Sequence, residues 1–561
     1  MKSPQSSTAQ FLLARFQFRP RLLDCLPGYT RQQFGLDVSS GVTVGILALP
    51  LAMAFAIASG CSPSSGIWTA IVAGFLISAL GGSRVQIGGP TGAFIPIVYG
   101  IVVSYGFDNL LGATLLAGIF LLLMGLSRMG QFIRFIPLPV VIGFTNGIAV
   151  VIFMAQLKDF MGLDIAQVPA EFFTKVRVLL HEAHTFDVQT LMLSSVCLVF
   201  LLFYARLAKR WPILAQIPSP IFVLVLGTLV ARFIGLEVET IGTRFGGIPQ
   251  SIPDFGLPHL SLEKLGSLIS PAITIALLGA IESLLSARVA DGPIKDRHDP
   301  NQELIAQGIA NIVAPFFGGF AATGAIARTT TNVRCGGRTP IAGMVHAMTL
   351  MGIVLVAAPL AEHVPLGVLS AIVMVTAINM GEWHEFRKLN RYLFSYRAIL
   401  LSTFVLTVVF DLTIAVELGM VLACLFFIYR MSELTRIEPL PMPENWSTDK
   451  VAAWQLYGSL FFGAIHKLES LLPQEGKPVP AILILDTRRL VQMDASGLEA
   501  LQHLQEQLAH QFCQLLLCGL NEQPASLLRR SGFIETLGEE NVFLDIASVR
   551  DRVNHILKIA Y

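Results

Sequence analysis

Long apolar runs joined by short polar connections dominate the first 430 residues of this chain. From Ser39 to Phe107 the single charged residue is Arg84, from Leu265 to Ala287 it is Glu282, and from Leu304 to Ala327 there is none. A bilayer core takes roughly 20 apolar helical residues, so the pattern predicts about fourteen membrane segments. They start near residues 39, 66, 91, 109, 136, 188 and 217, then near 271, 304, 325, 340, 365, 398 and 413. The segments near 91 and 325 are short, as half-helices would be. Met431–Thr448, with three prolines and alternating charges, reads as a linker. Beyond it Ala481–Leu485 and Leu515–Cys518 are buried-strand candidates, with helical patterns at Ser496–Gln511, Ser526–Ser531 and around Val549–Leu557. The expected organisation is an N-terminal cytoplasmic arm (1–38), a polytopic transmembrane domain (39–430), the linker (431–448) and a small cytoplasmic α/β domain (449–561).

Loop charges orient the segments. Arg84, Arg128 with Arg134, Arg206-Lys209-Arg210, Arg288-Lys295-Arg297, Arg334-Arg338 and Arg387-Lys388-Arg391-Arg397 fall in alternate loops, whereas the short loops around Cys61, Asp108, His363 and Asp411 carry no Lys or Arg. Positive loops stay inside, which places both termini in the cytoplasm. Composition agrees: 53% of residues are hydrophobic and 14% charged, and mean hydropathy is +0.65. A net charge of +1 gives no reason to expect nucleic acid as a partner. The seven cysteines are scattered without metal-site spacing and read as structural thiols. At the N-terminus Phe11-Leu12-Leu13 is cut off by Arg15, so no secretory signal is expected.

Two stretches read like one broken segment written twice: Gly88-Gly89-Pro90-Thr91-Gly92-Ala93-Phe94 and Phe320-Ala321-Ala322-Thr323-Gly324-Ala325-Ile326-Ala327-Arg328. Both contain Thr-Gly-Ala, and both follow a Gly-Gly pair. A second echo joins Ile136-Pro137-Leu138-Pro139-Val140-Val141 to Val364-Pro365-Leu366-Gly367-Val368-Leu369, each opening the fifth helix of a seven-helix half. Seven is odd, so the halves are inverted across the membrane, and inverted repeats place the substrate near the midplane between corresponding broken helices.

A helix that begins inside the membrane exposes N–H groups carrying about half a positive charge. Two such ends facing each other make an anion site. Gly92 and Gly324 would let an anion approach the backbone, Thr91 and Thr323 would add hydroxyl donors, and Arg328 would supply a full charge. The blander reading is glycine-mediated helix packing with Arg328 snorkelling to the cytoplasmic face. Glu282 stands alone in apolar sequence about 9 Å from the helix end, where a carboxylate out of water favours its neutral form. Proton carrier is the functional reading, a Na⁺ ligand the second, and a structural partner of Arg328 or of a backbone donor the bland one. Asp411 and Glu417 read as interfacial charges, and His346 and His466 as structural. In Asp494-Ala495-Ser496-Gly497, Ser496 reads as a helix N-cap, with phosphoacceptor the minority reading. With no P-loop, metal cluster or Ser-His-Asp set, neither an enzyme nor a resident cofactor is expected.

These residues make the chain resemble the sulfate permease (SulP) family of anion transporters over essentially its whole length. The resemblance is carried by Gly45–Ala54, Gly88–Phe94, Gly279–Ser283, Asn301–Gly319 and Thr323–Asn332, and the tail resembles a STAS domain, with Asp494–Gly497 matching its loop motif. It implies a seven-plus-seven inverted repeat, a core domain moving against a gate domain, and a homodimer. Carried over, the anion site comprises Phe55, Thr91, Gly92, Ala93, Gly324, Ala325, Ile326, Ala327 and Arg328, while Glu282 matches the position of cation coupling in prokaryotic members. Many sulfate-carrying relatives have Gln where this chain has Leu51 and Ser where it has Ala327. The lost donors tilt the expectation towards a carboxylate, and the whole chain looks closest to the bacterial C4-dicarboxylate branch. The expected function is proton-coupled import of a small dicarboxylate across the bacterial inner membrane. Sulfate or bicarbonate transport, coupled to H⁺ or Na⁺, or anion exchange is the alternative, and a membrane sensor with the tail as output is more distant.

Overall fold

The computed structural model describes residues 18–131, 137–165, 168–169, 171–210, 219–247, 250, 253, 255–256, 262–410, 412–441, 450–471 and 479–559. Expectations resting on residues 1–17, Arg134, Ile136, Asp411, the 442–448 part of the linker and residue 449 lie outside them. The chain divides into two compact units, residues 1–420 and 421–561.

Helices occur at every expected place. They are α1 (Arg31–Ala58), α2 (Pro63–Leu80), α3 (Ile95–Tyr105, preceded by a 3-10 turn at Gly92–Phe94), α4 (Phe107–Leu126), α5 (Leu138–Ala155), α6 (Val188–Arg210) and α7 (Ser219–Ile234). The second set is α8 (Leu262–Ile294), α9 (Pro300–Val313), α10 (Ile326–Arg334), α11 (Pro340–Ala361), α12 (Leu366–Met380), α13 (Phe394–Val409) and α14 (Leu412–Leu434). By length and apolar composition five of the described helical stretches can cross a bilayer unaided: Arg31–Ala58, Pro63–Leu80, Phe107–Leu126, Leu138–Met161 and Gly266–Ile294. Shorter apolar helices, among them Gly92–Tyr105 and Leu366–Met380, stand between them.

Local chemistry explains the starts. Thr30 caps α1 by accepting from Gln33 N, Ser62 caps α2 by accepting from Ser65 N, and Asp299 caps α9 by accepting from Asn301 N and Gln302 N. Proline at the first turn of α2 and α9 costs no hydrogen bond there. Packing sorts the helices into two groups. In the first, α1 and α2 contact α11, and α4 contacts α8 and α9; in the second, α5 contacts α12 and α13, and α6 contacts α7 and α12. Each group therefore draws corresponding members from both halves of the sequence, as an inverted repeat with separate core and gate groups requires. Where α4 crosses α9, a β-carbon on Gly118 or on Gly308 would come within 2.8 Å of the other's carbonyl oxygen, so bare backbone sets that approach.

In the second unit a five-stranded sheet runs in the order β3 (Arg436–Pro439), β4 (Val451–Leu460), β5 (Ile482–Met493), β6 (Gln514–Cys518), β7 (Val542–Phe543). The β3–β4 pair is antiparallel and the others are parallel. Helix α15 (Ala495–His510) packs Leu501, Leu504 and Leu508 into one apolar cluster, and α17 (Ile546–Ile559) sends Val549 and Val553 into another; α16 (Glu522–Arg530) adds Leu528 to the first. Two differences from expectation stand out. Strand β3 falls inside the stretch read as linker. Ser496 is not the cap of α15: Asp494 is, its carboxylate accepting from Gly497 N at 2.8 Å, and Ser496 lies in the first turn.

Candidate functional site

The two broken segments meet. Gly88–Gly89 forms strand β1 and Thr323–Gly324 forms strand β2, paired antiparallel with Gly88 opposite Gly324 and Gly89 opposite Thr323. Neighbouring contacts fix this bridge: Ala325 N donates to Ile87 O at 2.8 Å, Ile87 N donates to Thr329 Oγ1 at 3.1 Å, and Asn332 Nδ2 donates to Val85 O at 2.8 Å. Two helix N-termini leave the bridge, one at Gly92 and one at Ile326, and neither has a side-chain cap.

Arg328 is the charge at this junction. It is 1% exposed, so the snorkelling reading does not describe it. Its Nη2 donates to Pro90 O at 3.1 Å, whereas Nη1 is buried without a hydrogen-bond partner. Gly89 makes room for that nitrogen, since a β-carbon there would lie 2.2 Å from Nη1. An unpaired buried guanidinium N–H is costly, and an anion would satisfy it.

The threonine hydroxyls correct an expectation. Thr91 Oγ1 donates to Glu282 Oε2 at 2.9 Å, and Thr323 Oγ1 donates to Gly279 O at 2.8 Å. Both donor hydrogens go to α8, not to the space in front of the helix ends. The two glycines also differ. A β-carbon on Gly324 would lie 1.7 Å from Gln86 Nε2, so that position is filled by packing. One on Gly92 would have Ile152 Cδ1 at 3.5 Å, Met380 Sδ at 3.8 Å and Phe55 Cε1 at 3.8 Å as its nearest neighbours, all at ordinary contact distance. Phe55, Thr91, Ala93 and Ala325 are buried, whereas Ile326 and Ala327 are exposed. The apolar Leu51 is buried in the same core cluster as Phe55 and Ala93.

Glu282 feels the Arg328 charge, yet among the described residues no ion pair within 4 Å joins them; its hydrogen-bond partner is Thr91. Below it lies a network that the sequence did not announce. Fully buried Glu303 accepts from Gly82 N at 3.0 Å, Ser83 N at 3.2 Å, Gln307 Nε2 at 3.0 Å and Ser283 Oγ at 3.2 Å. Gln86 Nε2 in turn donates to Ser283 Oγ at 2.8 Å. In the sequence Glu303 follows Asp299-Pro300-Asn301-Gln302 and looks like an ordinary acidic residue in the first turn of α9, so nothing singled it out.

Residues 34–403 match the Sulfate permease family, and residues 446–549 match the STAS domain. The chain belongs to the sulfate permease family. It is 42% identical to "Putative sulfate transporter YvdB" of Bacillus subtilis over 520 residues, covering 92% of this chain and 97% of that one. It is 28% identical to the bicarbonate transporter BicA of Picosynechococcus over 452 residues, covering 76% and 78%. Among solved structures, the transmembrane domain of a cyanobacterial BicA superposes with a TM-score of 0.63 at 29% identity, covering 69% of this chain and 98% of that one. Murine Slc26a9 superposes with a TM-score of 0.85 at 18% identity over 99% of this chain and 96% of its own, which shows the shared fold. This sulfate permease family member is thus a multi-pass membrane anion transporter with a STAS domain, and its relatives are transporters, not enzymes. The two named relatives are called a putative sulfate transporter and a bicarbonate transporter, and neither name supports the C4-dicarboxylate branch.

Proposed function

We propose that this chain imports a small planar oxyanion, bicarbonate or a short carboxylate, by alternating access, with a proton on Glu282 as the coupling ion. The observation that carries the reading is Arg328 Nη1, buried and unpartnered where two uncapped helix N-termini diverge. In this reading the anion lies between Gly92 and Arg328, with Phe55 as an apolar wall. Few donors surround the place, because Leu51, Ala325 and Ala327 have none in their side chains and both threonine hydroxyls are engaged. Sulfate presents four oxygens to satisfy, and a carboxylate-type group two or three. Bicarbonate fits both this donor set and the name of a relative. A short dicarboxylate fits the donor set, and sulfate fits the name of the 42% identical relative.

Glu282 couples through Thr91. Ionised, the carboxylate accepts the Thr91 hydrogen bond and lies in the field of Arg328, competing with the anion for it; protonated, it leaves the guanidinium to the anion. The basic loops lie on the cytoplasmic side. The test is uptake by proteoliposomes of labelled bicarbonate, succinate and sulfate under an imposed proton gradient. Bicarbonate or succinate uptake that Arg328→Ala abolishes supports the reading, and uptake of sulfate alone overturns the substrate class. In Glu282→Gln the gradient should no longer drive accumulation; retained coupling, or driving by Na⁺ instead, sinks the proton assignment.

A further inference from the structure

A cavity of about 750 Å³ opens at the end of the first unit opposite the arginine-bearing loops. Its floor is made by Ile57, Ile95 and Val151, each within two residues of Phe55, Ala93 or Ile152, which surround the candidate anion site. Its wall is continued by residues between Lys158 and Ile165, by Val168 and Lys175, and by Arg244 and Phe245 of the short helix Ile241–Phe245. Volume in this range suits a small-molecule pocket.

The charges on its wall are unevenly matched. Arg244 is neutralised twice, by Asp159 at 2.8 Å and by Glu239. Asp164 is exposed to solvent. Lys175 and Lys158 line the same space, and neither ammonium has a hydrogen bond or an ion pair within 4 Å among the described residues. Lys175 is 4% exposed and its ammonium lies 5.9 Å from the Tyr99 ring centre. The Tyr99 hydroxyl is itself tied to Val168 O, which holds the ring. An ammonium this covered, with an aromatic face beside it and no carboxylate paired to it, is a place that an anion would stabilise. Lys175 sits on the amphipathic helix Phe172–His181, and the stretch Phe172–Thr185 is bent by 116° from Val188–Tyr204 of α6, which brings Lys175 to the cavity wall.

We propose that this cavity is the outer vestibule of the transporter and a second anion site, where Lys175, assisted by Lys158, captures a small carboxylate or bicarbonate before the floor opens towards Arg328. The inference rests on the proposed function for the identity of the anion and adds a site to it. Capture by a fixed positive charge raises the encounter rate and loses strength with salt.

The test compares uptake into right-side-out and inverted membrane vesicles holding the full chain, with labelled bicarbonate and succinate as probes. In Lys175→Met, KM for entry from the vestibule side should rise about tenfold with little change in maximal rate, and its dependence on ionic strength should flatten. Entry from the other side should keep its wild-type KM, and Lys175→Arg should restore the first. Lys158→Met should reproduce the effect at smaller size, which separates capture from a folding defect at position 175. Unchanged vestibule-side KM in both methionine variants, while Arg328→Ala abolishes uptake, overturns the vestibule and leaves the proposed function standing. Wild-type uptake by Arg328→Ala overturns the proposed function instead.

Discussion

Substitution of Gly89 gives the sharpest test of the junction, because the structure predicts its effect from one distance. A β-carbon at Gly89 would sit 2.2 Å from Arg328 Nη1, and ordinary contact begins near 3.4 Å. The guanidinium must therefore retreat by about 1 Å, enough to lose alignment with a bound anion. It cannot retreat freely, since Nη2 is held to Pro90 O at 3.1 Å. A hydrogen bond to a charged group contributes about 1.5–3 kcal/mol, so losing it lowers anion affinity about 10- to 100-fold. The φ of +148° at Gly89 adds backbone strain of order 1–3 kcal/mol in Gly89→Ala. The companion substitution is Gly92→Ala, whose new methyl meets nothing closer than 3.5 Å and needs no positive φ. It should leave the protein as stable as the wild type while standing in front of the uncapped N–H groups.

Measured in proteoliposomes, KM for the transported anion should rise about 10- to 100-fold in Gly89→Ala. Gly92→Ala should lose uptake with an unchanged melting temperature in detergent. Saturating anion, at about 100 times Kd, stabilises the wild type by about 2.7 kcal/mol, and this ligand-dependent gain should shrink in both variants. A wild-type KM in Gly89→Ala, or unimpaired uptake in Gly92→Ala, would refute the placement of the anion between Gly92 and Arg328.

Thr91→Val removes the donor to Glu282; uptake driven by the proton gradient should fall about tenfold while exchange at zero gradient persists, read by counterflow. Burial lowers the Lys175 ammonium to about 8 because desolvation penalises its charged form. The charge is therefore present below that pH and fades above it, so vestibule-side KM should rise as pH passes about 8 and stay flat in Lys175→Arg. Cys61, Tyr99, Lys158, Asp159, Asp164, Glu239 and Arg244 face the same space. In the second unit Asp494→Ala should weaken α15 by about 1 kcal/mol, seen as faster amide exchange near Gly497, whereas Ser496→Ala should change it by less than about 0.5 kcal/mol.

Breaks in apolar runs were legible because glycine and proline interrupt helices wherever they stand, and their matched placement located both halves of the junction. Arg328 and Glu282 were legible for a related reason, since a lone charge in an apolar stretch has to be satisfied by something. The partners were not legible. Gln86 fills the space beside Gly324, Ser283 links Gln86 to Glu303, and Thr91 reaches Glu282 across 191 residues of sequence. Periodicity says which face of a helix is apolar, but not which distant side chain fills a given gap. The same limit hid β3 and β4, where a four-residue strand ending in proline, and one reading Val-Ala-Ala-Trp-Gln-Leu-Tyr-Gly-Ser-Leu, have no strict alternation. Lys175 was hidden because a lysine in a polar connection looks solvated until the fold covers it.

The two threonine contacts suggest why the junction can act as one unit. Thr91 belongs to the first broken segment and Thr323 to the second, and they bind Glu282 and Gly279, three residues apart and thus on one face of α8. A single helical turn therefore holds both segments, and the β1–β2 pairing holds them to each other. Protonation of Glu282 changes the charge at one of these ties without breaking the other, so the junction can stay assembled while the field on Arg328 changes. The proposed coupling would then need no large rearrangement inside the site. Under the proposed function the proton would set how strongly the guanidinium is available to an anion, and movement of one helix group against the other would carry the occupied junction from one side to the other.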